Sequence, residues 1–149
     1  MASSASPRQS EFTLRRHVQF YEVDWAGIVH FSNYFRYMEE AEHALWREAG
    51  LSIARSAAGA GVAFPRVEAT FTYRRPLRFE DEFEVRIRIV ELREKRIRYT
   101  CTLWCRDETT ASGSMTIVCA RVGADGTLKA APIPPEIAGR LAVAAEADG

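Results

Sequence analysis

Asp24 opens a loop, Asp24-Trp25-Ala26-Gly27, followed by a short apolar run, Ile28 to Phe31, and then a long amphipathic stretch. A helix beginning there would expose unpaired backbone N–H groups and a partial positive charge at its first turn. Such groups can hold a developing oxyanion. The same field favours an ionised carboxylate nearby, so Asp24 could act as nucleophile or general base. Gly27 lets a ligand approach the backbone closely. A carboxylate facing an oxyanion-binding helix end is sufficient machinery for acyl transfer. The competing reading is structural: an Asp followed by a small residue and Gly is a common turn former.

The helix that must supply this end is read over Tyr34 to Ala49, where Tyr34, Met38, Ala41, Leu45 and Ala49 recur at helical spacing. Tyr37 and Trp46 widen the stripe, and Arg36, Glu39, Glu40, Glu42, His43, Arg47 and Glu48 fill the polar positions. Ser32 or Asn33 is the expected N-cap, and Gly50 stands where a C-terminal cap belongs. A strand precedes the loop, read over Phe12 to Val23, although Arg16 falls on its apolar side.

After an ambiguous small-residue stretch, Leu51 to Gly61, the period becomes two. Val67, Ala69, Phe71 and Tyr73 alternate with polar residues, as do Phe83 to Ile89 and Ile97 to Cys105. Ser114 to Val122 is apolar almost throughout, which suits a strand covered on both faces, and a turn follows at Gly123 to Gly126. Short connections imply antiparallel neighbours. The expectation is an α+β domain, one sheet of five strands with one long helix against it. Residues 1–11 read as a disordered tail, 12–134 as the domain, and 135–149 as a C-terminal tail with a weak helix from Glu136 to Ala147. One helix covers one face of such a sheet only in part, so other surfaces are expected to meet another copy of the chain.

Composition narrows the function. The chain has 149 residues, of which 47% are hydrophobic and 27% charged, as in a folded domain. Twenty basic and twenty acidic residues give a net charge of +0, unlike a dedicated nucleic-acid or membrane-surface binder. Only Lys95 and Lys129 are lysines, so an anion site must be built mostly from Arg. No apolar run approaches the about 20 residues needed to span a membrane, and no secretory signal is expected at the N-terminus. Cys101 and Cys105 on one strand would be about 13 Å apart, too far for a disulfide. With no metal-ligand spacing either, the three cysteines read as buried thiols of a cytoplasmic protein.

The pattern Asp24-x-x-Gly27-Ile28-Val29-x-x-x-x-Tyr34 resembles the signature of the hotdog-fold acyl-CoA thioesterases, specifically the 4-hydroxybenzoyl-CoA thioesterase-like family. The likeness extends through Tyr73-Arg74-Arg75-Pro76-Leu77 and Glu80-Asp81. It implies a five-stranded antiparallel sheet wrapped around one long central helix, with subunits paired. It implies hydrolysis of an acyl-CoA to acid and free CoA, with no metal or cofactor. Asp24 matches the family's catalytic aspartate, and Gly27 its loop glycine. Phe31 falls where a backbone N–H polarises the carbonyl, and Tyr34 matches the packing tyrosine of the helix.

One branch has a histidine at the Phe31 position; here the histidine is His30, one residue earlier, so that role is not transferred and His30 either contacts substrate or packs at the loop. Trp25 is a candidate for the acyl pocket. Arg93 and Lys95 match basic residues that hold CoA phosphates in the 4-hydroxybenzoyl branch, with Glu94 replacing a third; a solvated hairpin turn is the alternative. Arg74, Arg75 and Arg78 form a second basic cluster, ranked below these. Another branch places its carboxylate on the central helix, which makes Glu39 and Glu40 secondary candidates. The implied partners are an acyl-CoA and further copies of the chain, as homodimer or homotetramer, with neither nucleic acid nor membrane. The rival readings are an acyl-carrier-protein thioesterase and a non-catalytic acyl-thioester binding protein.

Overall fold

Alternation carries directly into the sheet. In the computed structural model, which describes residues 7–146, Val85, Ile87, Ile89, Ile97, Tyr99, Cys101 and Leu103 all face inward and are buried. They belong to β4 (Glu82–Leu92) and β5 (Arg96–Cys105). These pair antiparallel with β1 (Glu11–His17) on one side and β6 (Glu108–Val118) on the other, and β3 (Arg66–Tyr73) closes the far edge. The five strands wrap around α1 (Asn33–Glu48), whose Tyr37, Met38, Ala41, Leu45 and Trp46 have no exposed surface. This is the expected α+β hotdog arrangement.

A short helix α2 (Arg55–Gly59) precedes β2 (Val62–Ala63). A small second sheet, which the alternation pattern does not announce, joins β2 to β7 (Ala120–Val122) and β8 (Leu128–Ala130). Its β7–β8 connection is the expected turn at Gly123 to Gly126. The single helical turn α3 (Pro135–Ala138) follows.

Four expectations need correction. The first strand ends at His17, not Val23, because Val18 N–H donates to Asp81 and a 3-10 turn over Phe20–Glu22 takes over. Arg16 is on the apolar side as read, but buried contacts satisfy it. It pairs with Glu22 (3.0 Å) and Glu40 (2.7 Å), and its guanidinium lies 4.7 Å from the Tyr37 ring centre.

The last strand begins six residues earlier than expected and breaks at Cys119, whose N–H donates to Lys95. The small residues Thr109 to Gly113 show no apolar alternation, yet Ala111 to Gly113 pair with strands on both sides and Thr109 pairs with β5. Gly113 is required there, since a side chain would strike the Thr70 carbonyl and the Phe71 ring.

The chain ends are also more engaged than expected. Gln9 bridges to Leu141, and Ser10 accepts from Ile89 N–H; residues 1–6 lie outside the described residues. The C-terminal helix is one turn only. After it Arg140 donates to Ala49 O at the end of α1, and Ala144 N–H donates to Ile89, so the segment is a strap with Ile137 and Leu141 fully buried. Residues 147–149 lie outside the described residues.

Finally, Glu42 is not on the solvent side of the helix but 0% exposed. Arg66, at the start of β3, holds its carboxylate with two bonds of 3.1 and 2.5 Å. Trp46 donates to the Tyr99 hydroxyl (3.0 Å), which faces Glu42. Burial pushes the Glu42 carboxyl up against the pull of Arg66. Breaking one side of such a pair leaves an uncompensated buried charge. Arg66→Met should therefore destabilise the protein by about 3 kcal/mol, and adding Glu42→Met should restore much of that, both read by urea unfolding. The thiols make a second check. Burial pushes Cys101 up to about 12 and raises Cys105 and Cys119, all three being buried and free. The folded protein should resist a thiol-specific dye at pH 8 and release three reactive thiols on unfolding.

Candidate active site

The loop before α1 is shaped by its own backbone. Val23 and Val29 form an antiparallel bridge, and Asp24 N–H donates to Ile28 O at 2.9 Å. Gly27 N–H returns to Asp24 O at 2.9 Å, with Gly27 at φ +83°, the left-handed region that glycine enters without strain. Asp24 also does what a turn former does: its Oδ1 accepts Ala26 N–H at 2.8 Å. Among the described residues Oδ2 has no hydrogen-bond partner, so the bond to Oδ1 orients the carboxylate and leaves its second oxygen available.

The loop is stitched to two elements. Val29 N–H donates to Leu77 O (2.8 Å) and Ile28 bridges to Arg78, which fastens it to the segment after β3. The carbonyl of Glu22 accepts both His30 N–H (2.9 Å) and the Asn33 side-chain amide (2.8 Å), which fastens it to the start of the helix. Ser32, one of the two expected caps, holds the N-cap position, but neither side chain makes a capping bond. Ser32 Oγ bonds to His30 Nδ1 (2.7 Å), and Asn33 is spent on Glu22.

Asp24, Ile28, Val29, Phe31, Tyr34, Tyr73, Arg74, Arg75 and Pro76 line one open cavity of about 470 Å3. Asp24 and Phe31 thus meet as the spacing suggests. Among the described residues the Phe31 N–H has no acceptor. Its peptide partner, the His30 carbonyl, takes Asn33 N–H at 2.9 Å. In a trans peptide the two groups point oppositely, so the Phe31 N–H is turned away from the helix. Tyr34 is 3% exposed, and its ring meets Tyr73 edge to face at 4.8 Å. Burial raises its hydroxyl, which stays protonated.

The other candidates lie elsewhere. Trp25 is 99% exposed and does not line the cavity. The His30 ring is exposed and stacks on Phe31 at 4.6 Å, also outside the cavity lining. Glu40 is engaged by Arg16, and Glu39 is exposed beside Arg66 (3.6 Å). Arg93 and Lys95 form the β4–β5 turn, the strand connection where both readings put them. Tyr73 pairs across the sheet near Leu103, while the turn adjoins Arg96, so seven residues of β5 separate the two ends. That is about 23 Å at strand rise.

The cations that do line the cavity are Arg74 and Arg75, the latter also paired to Glu108 at 2.7 Å. These and Tyr73 are what residue-by-residue reading underrated. Their only signal was the Tyr73-Arg74-Arg75-Pro76-Leu77 segment, and nothing in sequence spacing ties it to Asp24. Among the described residues no group of three or more His, Cys, Asp or Glu side chains is arranged to hold a metal ion.

Since the Asn33 side chain joins the helix start to the Glu22 carbonyl, Asn33→Ala should cost about 1–3 kcal/mol in urea unfolding, as a buried carbonyl loses one of its two donors.

Comparison with known proteins agrees with this fold. Residues 18–141 match the thioesterase-like superfamily. A solved hypothetical protein of Aquifex aeolicus is 33% identical, with a TM-score of 0.80 over 88% of this chain and 99% of its own. A gentisyl-coenzyme A thioesterase is 31% identical, with a TM-score of 0.75 over 85% of this chain and 98% of its own. The 4-hydroxybenzoyl-CoA thioesterase of Pseudomonas sp. strain CBS-3, 20% identical, shares the fold with a TM-score of 0.77 over 86% and 96%.

Proposed function

This chain belongs to the thioesterase-like superfamily, and from that premise we propose that it hydrolyses an acyl-CoA at the cavity where Asp24 faces the start of α1. It is a thioester hydrolase with the hotdog fold. The observation that carries the site assignment is that one cavity is lined both by Asp24, whose Oδ2 has no partner among the described residues, and by Phe31, whose backbone N–H has no acceptor among them.

The thioester carbonyl oxygen would take the Phe31 N–H, reinforced by the helix dipole. Asp24 Oδ2 would either attack the carbonyl carbon or deprotonate a water that attacks it. In the first case an acyl–Asp24 anhydride forms, CoA leaves as thiolate, and water then cleaves the anhydride. In the second the tetrahedral intermediate collapses directly to acid and CoA thiolate. Phe31, Tyr34, Tyr73, Ile28, Val29 and Pro76 suit a compact, flat acyl group, and the gentisyl-CoA thioesterase relative supports an aryl one. Arg74 and Arg75 suit the phosphate charges of the CoA arm. Arg93 and Lys95, at the far end of the sheet, would serve such an arm from a neighbouring subunit.

The assembly proposed is a homodimer, or a homotetramer of such dimers. Its supports are the outer edge of β3, unpaired among the described residues, with Val67 59% exposed, and the exposed aromatics Phe20, Tyr21, Trp25 and Phe31 in the segment before α1. A cytoplasmic location fits three free, buried cysteines. No helix among the described residues is long and apolar enough to cross a membrane.

The test is release of free thiol from benzoyl-, phenylacetyl- and graded aliphatic acyl-CoAs. At least one should be turned over, and Asp24→Asn should lower kcat by about 10²–10⁴-fold while remaining folded. Turnover that survives Asp24→Asn would move the chemistry elsewhere. Thermal stabilisation by a CoA ester with no turnover would indicate a binding protein.

A further inference from the structure

We propose that Tyr73 is a positioning residue for the oxyanion donor, its hydroxyl fixing the backbone of Phe31 from the neighbouring strand. This rests on the reading of Asp24 and the Phe31 N–H given above.

Phe31 lies between two peptide groups: the first carries its N–H, and the second, joined through the Phe31 Cα, limits how far the first can rotate. The first, His30–Phe31, is anchored by Asn33 N–H on the His30 carbonyl (2.9 Å). The second, Phe31–Ser32, is held more loosely. Its carbonyl accepts Tyr34 N–H at 3.3 Å, long for a helical bond. The Tyr73 hydroxyl donates to the same oxygen, also at 3.3 Å. Two long bonds from different elements together define an orientation that one alone would leave loose. On its other side the Ser32 N–H is taken by His30 Nδ1 (3.2 Å), an exposed side chain of the same loop, which gives no anchor outside it.

Tyr73 is suited to the task. It is the last residue of β3, and the next two N–H groups, Arg74 and Arg75, both donate to Thr110 O (2.8 and 3.0 Å). The strand end is therefore fixed to β6 immediately beyond it. The Tyr73 ring meets Tyr34 edge to face at 4.8 Å and stacks with Phe71 at 6.2 Å. Partial burial raises its hydroxyl, so the donor proton is present at neutral pH. The residue is still 43% exposed, which places its ring at the cavity wall while its hydroxyl reaches the backbone. The sheet edge and the helix start are thus joined at the atom group that must stay still during acyl transfer.

Tyr73→Phe removes the hydroxyl and keeps the ring. With the best acyl-CoA of the panel, kcat should fall about 10-fold with KM changed less than about two-fold, a fraction of the loss expected for deleting the donor outright. Tyr73→Leu, which also removes the cavity wall, should raise KM as well. A second readout uses isotope-labelled carbonyl in the same substrate bound to Asp24→Asn. The carbonyl stretch, lowered on binding by the oxyanion donor, should move back toward its free value when Tyr73→Phe is added.

Unchanged kcat in Tyr73→Phe overturns the proposal. So does a fall in kcat that comes with loss of thermal stability and no change in the carbonyl stretch. If the wild type turns over no CoA ester, or Asp24→Asn keeps its activity, the site assignment itself fails. If Asp24→Asn is inactive and Tyr73→Phe is fully active, only the role of Tyr73 fails.

Discussion

The carbonyl of Glu22 accepts two donors, the backbone N–H of His30 and the side-chain amide of Asn33. That double bond of attachment ties the segment before the loop to the first turn of the helix, and the geometry of the site follows from it. Glu22 is itself immobilised: its carboxylate accepts Gln19 N–H at 2.8 Å and pairs with Arg16, whose other partner is Glu40 on the helix. With both ends fixed, the intervening residues have little freedom, and Asp24 and Phe31 line one cavity. The cost is a buried ionic group beside Tyr37, which is tolerable because each charge has a partner and a hydrogen bond.

The fold was legible wherever one physical rule dominated. Helical spacing from Tyr34 to Ala49 located α1 within a residue, because the stripe is buried all along its length. Alternation located β4 and β5, each buried on one face only. Legibility failed where pairing rather than hydrophobicity determined structure. Ala111 to Gly113 is strand because β3 and β5 flank it, and nothing in its own residues says so. Arg16 and Glu42 broke the polar-outside rule because each found an opposite charge 6 to 24 residues away in sequence.

The candidate site divides the same way. Asp24, Gly27 and Phe31 lie within one loop and helix start, so their spacing already constrained their geometry. Tyr73, Arg74 and Arg75 reach that cavity only because the loop is stitched to Leu77 and Arg78 after β3. Arg93 and Lys95, chosen by resemblance, fall at the other end of the sheet of their own protomer, a separation only register could disclose. The end of β3 consequently walls the cavity, and the outer edge of that strand is unpaired among the described residues.

The most direct test is a crystal structure of Asp24→Asn with S-phenacyl-CoA, a thioether analogue that keeps a carbonyl and cannot be hydrolysed. The account predicts the carbonyl oxygen about 2.7–3.1 Å from Phe31 N, with the residue 24 side chain against the carbonyl carbon and the aryl ring between Tyr34 and Tyr73. An aryl ketone bound elsewhere, in the cavity between Arg15 and Trp104 or beside Glu39, with the Phe31 N–H left without an acceptor, would contradict it.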